Sequence, residues 1–340
     1  MGGPTTDPDP TAPPTRLHRV RARLAPPAGA RYRAFRVDPN SSREKSVRVR
    51  ILPIAACVLL AVFAYDGVVR LLLIGLIRLP KLPAELTVLT TILALFSLTH
   101  AWYSLGGRLT LVFFGLSAAI SWVYEQVGVA TGLVFGAYHY TDYLGSKLGH
   151  VPYLIPLAWF MMIYPSYVIA NLAIQRRATG TLPGVGALLR LAAVSAVVMT
   201  AWDLVVDPIL SGPSARAWIW ENGGAYFGIP IQNYVGWLLT TFTVYLCYRA
   251  VEQRAVAAPL GPVGAGMAAL AVAAYGLMLA SDLLSGVEPA GVAIIGPLVM
   301  GPPVLVAAWR LRPGAPGRNG PDQLRSIDEP PVRRRRRFSP

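Results

Sequence analysis

Along this chain, long apolar stretches alternate with short polar interruptions, and both ends are polar. A bilayer core demands roughly 20 mostly apolar residues from each helix that crosses it. Runs of that length predict helices over 51–77, 84–104, 108–128, 152–175, 186–207, 230–249, 262–283 and 289–310. The stretches 151–175 and 222–248 contain no charged residue. The first run is the least clean, because Asp66 and Arg70 interrupt it. Lying four apart on one helical face, those two can pair, with two half-length segments as the alternative. The pattern predicts an all-α fold, a polytopic transmembrane helix bundle of about eight helices spanning 51–311.

Composition sharpens that picture. Of 340 residues, 54% are hydrophobic and only 14% are charged. A soluble domain carries about a quarter charged residues, so this chain lacks the material for a water-facing surface. What charge there is crowds the ends. The tails 1–50 and 312–340, rich in Pro and Arg without apolar periodicity, are expected to be disordered. Much of the net charge of +14 lies there, including Arg16, Arg19, Arg31, Arg50 and the arginine run 333–337. Basic tails beside membrane spans fit the positive-inside rule and attraction to anionic lipid, so membrane lipid rather than nucleic acid is the expected partner.

An even number of spans places both tails on one side, taken as the cytoplasmic face of the cell membrane. Arg108, Arg176, Arg177, Arg249 and Arg254 then fall in loops on that side, while Arg78 and Lys81 lie opposite. The long polar loops 129–151 and 208–229 come together on the outer face. No cleavable signal pattern precedes the first span, which is expected to act as the signal anchor. Cys57 and Cys247 sit within apolar runs and read as small core residues.

The two outer loops and their flanking helix ends hold most of the unusual residues. One region carries Trp122, Tyr124, Glu125, Tyr138, His139, Tyr140 and Asp142; the other carries Trp202, Asp203, Asp207, Trp218, Trp220, Glu221, Tyr226, Phe227 and Asn233. Asp203 and Asp207 are four apart, on one helical face. Carboxylates inside a membrane are costly and usually face a cavity or a partner. Helix capping, or pairing with Arg, Trp or Tyr donors, is the plainer reading of each one alone; their convergence on one face favours a site. Trp102, Tyr103, Trp237 and Tyr245 need no explanation beyond the aromatic belt of a membrane interface. The Trp-x-Trp-Glu run at 218–221 follows a proline in a loop and is harder to assign to that belt. No two histidines have helical metal-ligand spacing, and no metal site is expected. Also missing are a Gly-rich phosphate loop, a His-Glu-x-x-His motif and the adjacent aspartates of membrane prenyltransferases.

Four strings carry a resemblance: Phe135-Gly136-Ala-Tyr138-His-Tyr140; Val151-Pro152-Tyr-Leu-Ile155-Pro156-Leu-Ala-Trp159; Thr200-Ala-Trp202-Asp203-Leu-x-Val-Asp207-Pro208; and Trp218-x-Trp220-x5-Tyr226-Phe227-Gly228-Ile-Pro230-x-Gln-Asn233-x2-Gly236-Trp237. Together they resemble the carotenoid biosynthesis family that contains the CruF-type carotenoid 1',2'-hydratases, over about 110–250 of the chain. The resemblance implies a multi-helix membrane enzyme without a cofactor, acting on acyclic carotenoid ends, with other enzymes of that pathway as candidate partners.

Such an activity suits the residues. Hydrating a terminal isoprenoid double bond means protonating one carbon, passing through a tertiary cation and adding water to the other. A carboxyl group in an apolar setting can supply the proton, aromatic faces can stabilise the cation, and a second carboxylate can deprotonate water. Glu125, Asp203, Asp207 and Glu221 are the candidate acids and bases. Trp202, Trp218, Trp220, Tyr226, Phe227, Tyr138 and Asn233 are the candidate substrate contacts. Asp203 is the expected proton donor, with Asp207 or Glu125 handling water. A membrane prenyltransferase or cyclase of the same pathway, or a non-catalytic carrier of apolar lipid, are the rival readings.

Overall fold

The computed structural model describes residues 50–73, 86–255, 263–285 and 288–312. The basic tails expected to be disordered lie outside the described residues. Eight helices follow in order: α1 (Leu52–Leu73), α2 (Leu86–Leu105), α3 (Gly107–Thr131), α4 (Leu154–Gln175), α5 (Val185–Leu210), α6 (Ile231–Arg254), α7 (Ala265–Leu284) and α8 (Val292–Leu311). Each coincides with an expected span to within a few residues. Seven of them are long and apolar enough to cross a membrane, and the chain is an integral membrane protein. The exception is α6. It carries Gln232 and Asn233 near its start and Arg249 and Glu252 near its end, and it is flanked by α3 and α5.

Helix α1 is continuous rather than split into two half-length segments. The suspect stretch Tyr65–Val69 forms a π turn, and Arg70 Nε donates to Asp66 Oδ1 at 2.9 Å. That pair supplies the polar partners that let a charged turn stay within an apolar helix.

The centre of the bundle is α4, which packs against α2, α3, α5, α7 and α8. Its charge-free sequence is what allows it to be buried on every side: from Trp159 to Leu172 each residue is buried. Pro165 lies inside it and has no N–H to give to the carbonyl one turn earlier, Met161. Ser97 Oγ of α2 donates to that freed carbonyl at 2.7 Å, and Tyr245 of α6 donates to Ile163 O at 2.8 Å. In a region without water the serine satisfies the carbonyl that proline opens, and the tyrosine adds a second tie to the same turn.

Charge inside the bundle is compensated in the same way. Arg249 was expected in a loop, yet it lies within α6 and is fully buried. It donates to Asn171 Oδ1 at 3.0 Å and to Ser195 Oγ at 2.9 Å, and its guanidinium stacks over Tyr167. Glu252, one turn on, accepts from Tyr167 Oη and from Thr181. Those partners on α4, α5 and the loop between them let the helix run past the point where its apolar pattern ends. Tyr245 likewise belongs to the core rather than to an interface belt. Cys57 departs from expectation in the other direction: it is exposed on α1, and Cys247 is half-buried, both as free thiols. Their apolar runs belong to helices with lipid-facing sides, so apolarity there does not mean burial.

Two loops meet at one end of the bundle. Strand β1 (Tyr138–Tyr140) pairs antiparallel with β4 (Trp218–Trp220), setting Tyr138 opposite Trp220 and Tyr140 opposite Trp218. A short hairpin of β2 (Lys147–Leu148) and β3 (Val151–Pro152) leads into α4. The entry to β1 is fixed by Phe135, whose ring is wedged between Gly128 of α3 and Gly236 of α6. A Cβ at Gly128 would lie 2.6 Å from that ring, and one at Gly236 would lie 2.5 Å from Val134 O. Both glycines are required by close approach. Gly236→Ala is therefore expected to destabilise the fold by about 1–3 kcal/mol through overpacking. Thermal unfolding in detergent should show a lowered Tm; an unchanged Tm would mean that the Phe135 slot is loose.

Candidate functional site

Beneath the β1–β4 ribbon lies a cavity of about 400 Å³ that draws on seven of the eight helices, α1 to α7. Its walls are mostly apolar and aromatic, from Phe63, Leu89, Ile155, Trp159, Trp202 and Trp237 among others. Three carboxyl groups reach it from α3 and α5. Glu125 is 4% exposed and Asp203 and Asp207 are 1% exposed each, so their partners must come from the protein itself.

The partners of Glu125 come from the loop and from α4. Its Oε2 accepts from Tyr138 Oη and from Tyr140 Oη at 2.9 Å, and its Oε1 accepts from Trp159 Nε1 at 3.1 Å. The alternation of a strand sends Tyr138 and Tyr140 inward and His139 outward, which is why the Tyr-His-Tyr string delivers two phenols to one carboxylate.

Asp203 and Asp207 are one turn apart on α5, and a single amide joins them. Asn233 Nδ2 donates to Asp203 Oδ2 and to Asp207 Oδ2, both at 2.8 Å. Asp207 Oδ1 accepts further from Trp218 Nε1 at 2.7 Å and Trp220 Nε1 at 3.2 Å. Asp207 thus holds three donors and Asp203 one. The Trp-x-Trp run places both indoles on the inner side of β4 by the same strand alternation.

Helix α5 carries Pro208 one residue beyond Asp207, which frees the carbonyl of Leu204. Tyr226 Oη donates to that carbonyl at 2.7 Å. Tyr226 therefore supports the backbone of the aspartate turn from outside the cavity lining. Phe227 adopts a left-handed conformation, φ 52°, and its ring lies against Gly291. Glu221 is half-exposed and faces His139 at 3.2 Å on the outer side of the ribbon. Of the residues singled out from sequence, Glu125, Asp203, Asp207, Tyr138, Trp202, Trp218, Trp220 and Asn233 line the cavity, whereas Glu221, Tyr226 and Phe227 do not.

Three lining residues escaped the sequence reading. Trp159 and Trp237 stack at 4.1 Å between centroids and form one wall. Trp237 resembled an interface aromatic, and only packing against α4 distinguishes it. Asp282, at the end of α7, adds a carboxyl group, and Glu288 just beyond brings the carboxyl residues of the lining to five. A carboxylate at a helix end reads as an ordinary solvated residue unless the fold closes over it.

Comparisons with known proteins bear on this arrangement. The family model described as "Carotenoid biosynthesis protein" matches residues 86–300, a span that includes every carboxyl group of the cavity. The chain is also 35% identical, over 132 residues, to a protein named bisanhydrobacterioruberin hydratase from Haloarcula japonica. That match covers 38% of this chain and 42% of the relative's length, so the chain spans less than half of the curated relative it matches. No solved structure matches the chain.

Burial of the inner phenols has a measurable consequence. Burial first, and the adjacent Glu125 carboxylate second, push Tyr138 and Tyr140 well above the ordinary tyrosine range. Tyr226, half-buried near the aspartate pair, is pushed up to about 12. Spectrophotometric titration of Tyr138→Phe and Tyr140→Phe should superimpose on the parent curve through the ordinary tyrosine range near pH ~10, because neither ring ionises there. Loss of one titrating tyrosine from either curve would contradict that burial.

Proposed function

Because the chain belongs to the carotenoid biosynthesis protein family, we propose that it is a carotenoid 1',2'-hydratase, adding water across the terminal isoprenoid double bond of an acyclic carotenoid. The observation that carries this reading is the Asp203–Asn233–Asp207 bridge at the head of an aromatic-walled cavity. The name of the relative from Haloarcula japonica supports hydration as the chemistry.

The end of a polyene is apolar and slender, and Trp159, Trp202, Trp237 and the ribbon indoles form a matching sleeve. Asp203 has a single hydrogen-bond donor, which leaves it the freer of the two aspartates. We assign it to proton transfer onto the less substituted carbon. The tertiary cation that follows is stabilised by indole faces and by the carboxylates around it. Asp207, held in place by three N–H donors, fixes the amide that positions Asp203, and a second carboxyl group of the cavity receives a proton as water adds. Glu125 is held as firmly by two phenols and an indole, and ties the ribbon to α3 over the cavity. Water and the acyclic end are the only reactants this scheme requires.

Orientation follows from the same reading. If α6 crosses with the seven apolar helices, the two arginine-rich tails fall on one side, and the positive-inside rule makes it the cytoplasmic side of the cell membrane. The ribbon and the carboxyl-lined end of the cavity beneath it then face outward, where water is available.

Expression in a host that makes acyclic carotenoids should yield pigment heavier by one water. Asp203→Asn should reduce that product by about 10²-fold or more, the usual worth of a positioned acid. Undiminished product from this variant would overturn the role of Asp203. A membrane-inserted parent that leaves both shorter and longer acyclic carotenoids unchanged would overturn the hydratase reading.

A further inference from the structure

The scheme above uses carboxyl groups from α3 and α5, but the cavity has a second polar wall. It is built from Ser281, Asp282 and Ser285 at the end of α7, with Glu288 just beyond. This wall packs against α1 at its π turn, where a Cβ on Gly67 would lie 2.9 Å from Ser281 Oγ. π turns recur where a helix has been reshaped to place a side chain at a site.

Two groups of the lining, one on this wall and one on α5, are unsatisfied. Among the described residues, Asp282 Oδ2 is a buried acceptor without a hydrogen-bond partner, and Trp202 Nε1 is a buried donor without one. The two side chains interact, although they do not close a hydrogen bond of normal geometry. Ser285 Oγ is already committed to Asp282 O at 2.8 Å. An unpaired acceptor and an unpaired donor in one cavity are costly alone, and one water satisfies both: the indole N–H donates to its oxygen, and it donates to the carboxylate.

The chemistry also calls for a station away from the acid. The proton and the water must reach adjacent carbons, and water held against the acid would compete with the alkene for its proton. Asp203 and Asp207 are tied to one amide on the same wall, and Glu125 is saturated by three donors. On the other wall Glu288 is exposed, and Asp282 is the carboxyl group with a buried, free acceptor. We propose that Asp282 and the Trp202 indole N–H hold the reacting water, and that Asp282 rather than Asp207 takes its proton. This deepens the hydratase reading and rests on it. In the step, the alkene π pair forms a C–H bond with the Asp203 proton, leaving the tertiary cation. A lone pair of the water oxygen then forms the C–O bond while one O–H proton passes to Asp282. The proton returns to Asp203 through solvent, so water alone is consumed.

The test uses the full-length protein with an acyclic carotenoid in D2O, following both alcohol formation and deuterium in the recovered alkene. The parent should form alcohol; if it forms none and exchanges nothing, the hydratase reading falls, independently of Asp282. Asp282→Asn should lose alcohol by about 10²-fold while the terminal alkene carbon still acquires deuterium, because protonation by Asp203 and its reversal remain. Asp203→Asn should lose both. Trp202→Phe, which keeps the carboxylate and removes the N–H, should lower alcohol about tenfold with exchange retained. It also serves if the asparagine variant fails to insert. Near-parental alcohol from Asp282→Asn, or joint loss of alcohol and exchange in Asp282→Asn or Trp202→Phe, would overturn the proposal.

Discussion

Everything at the head of this bundle depends on the cost of placing carboxyl groups among apolar side chains. Such a group survives there only if the protein supplies hydrogen-bond donors in place of water. The donors here are arranged economically. One amide, Asn233, serves Asp203 and Asp207 together, and the β1–β4 ribbon sends two phenols to Glu125 and two indoles to Asp207. The strand pairing is short, but it is what brings a loop after α3 and a loop after α5 into register over the same cavity. The Phe135 wedge between two glycines and the Tyr226 bond to Leu204 O hold the ends of that arrangement to the helices. Fold and site are therefore one set of constraints. The residues that close the cavity are also those that make its carboxylates tolerable.

The same accounting covers two prolines inside helices. Pro165 and Pro208 each free a carbonyl deep in a helix, and in each case a hydroxyl from a neighbouring element takes it: Ser97 for Met161, Tyr226 for Leu204. In water such carbonyls would be solvated; in a bilayer they need a protein donor. The network of Arg249, Glu252, Tyr167 and Asn171 repeats the rule with charges, at the end of α6 away from the cavity.

The helices were legible because lipid imposes a length and an apolarity that few other environments do, and all eight expected spans correspond to helices. Asp203, Asp207 and Glu125 were legible for the complementary reason: a carboxylate in an apolar run is conspicuous. What could not be read was direction. Trp237 and Tyr245 resemble interface aromatics in sequence and prove to be packed inside, while Cys57 lies in an apolar run and is exposed. Asp282 sits where a helix ordinarily meets water, so nothing in its neighbours marked it as part of a cavity. Tyr226 and Phe227 lie in a conspicuous motif, but they serve the backbone around Pro208 and Gly291 rather than the cavity lining. Side-chain direction in these loops is set by long-range pairing, which local pattern does not encode.

The proposed chemistry has a direct isotopic signature. Purified protein would be given an acyclic carotenoid in water enriched in oxygen-18, with ordinary dioxygen above it, and the product analysed by mass. Hydration by the cavity carboxyl groups places the heavy oxygen in the new alcohol. An alcohol that carries the light oxygen, taken from dioxygen, would contradict water addition and with it the roles assigned to Asp203 and its neighbours.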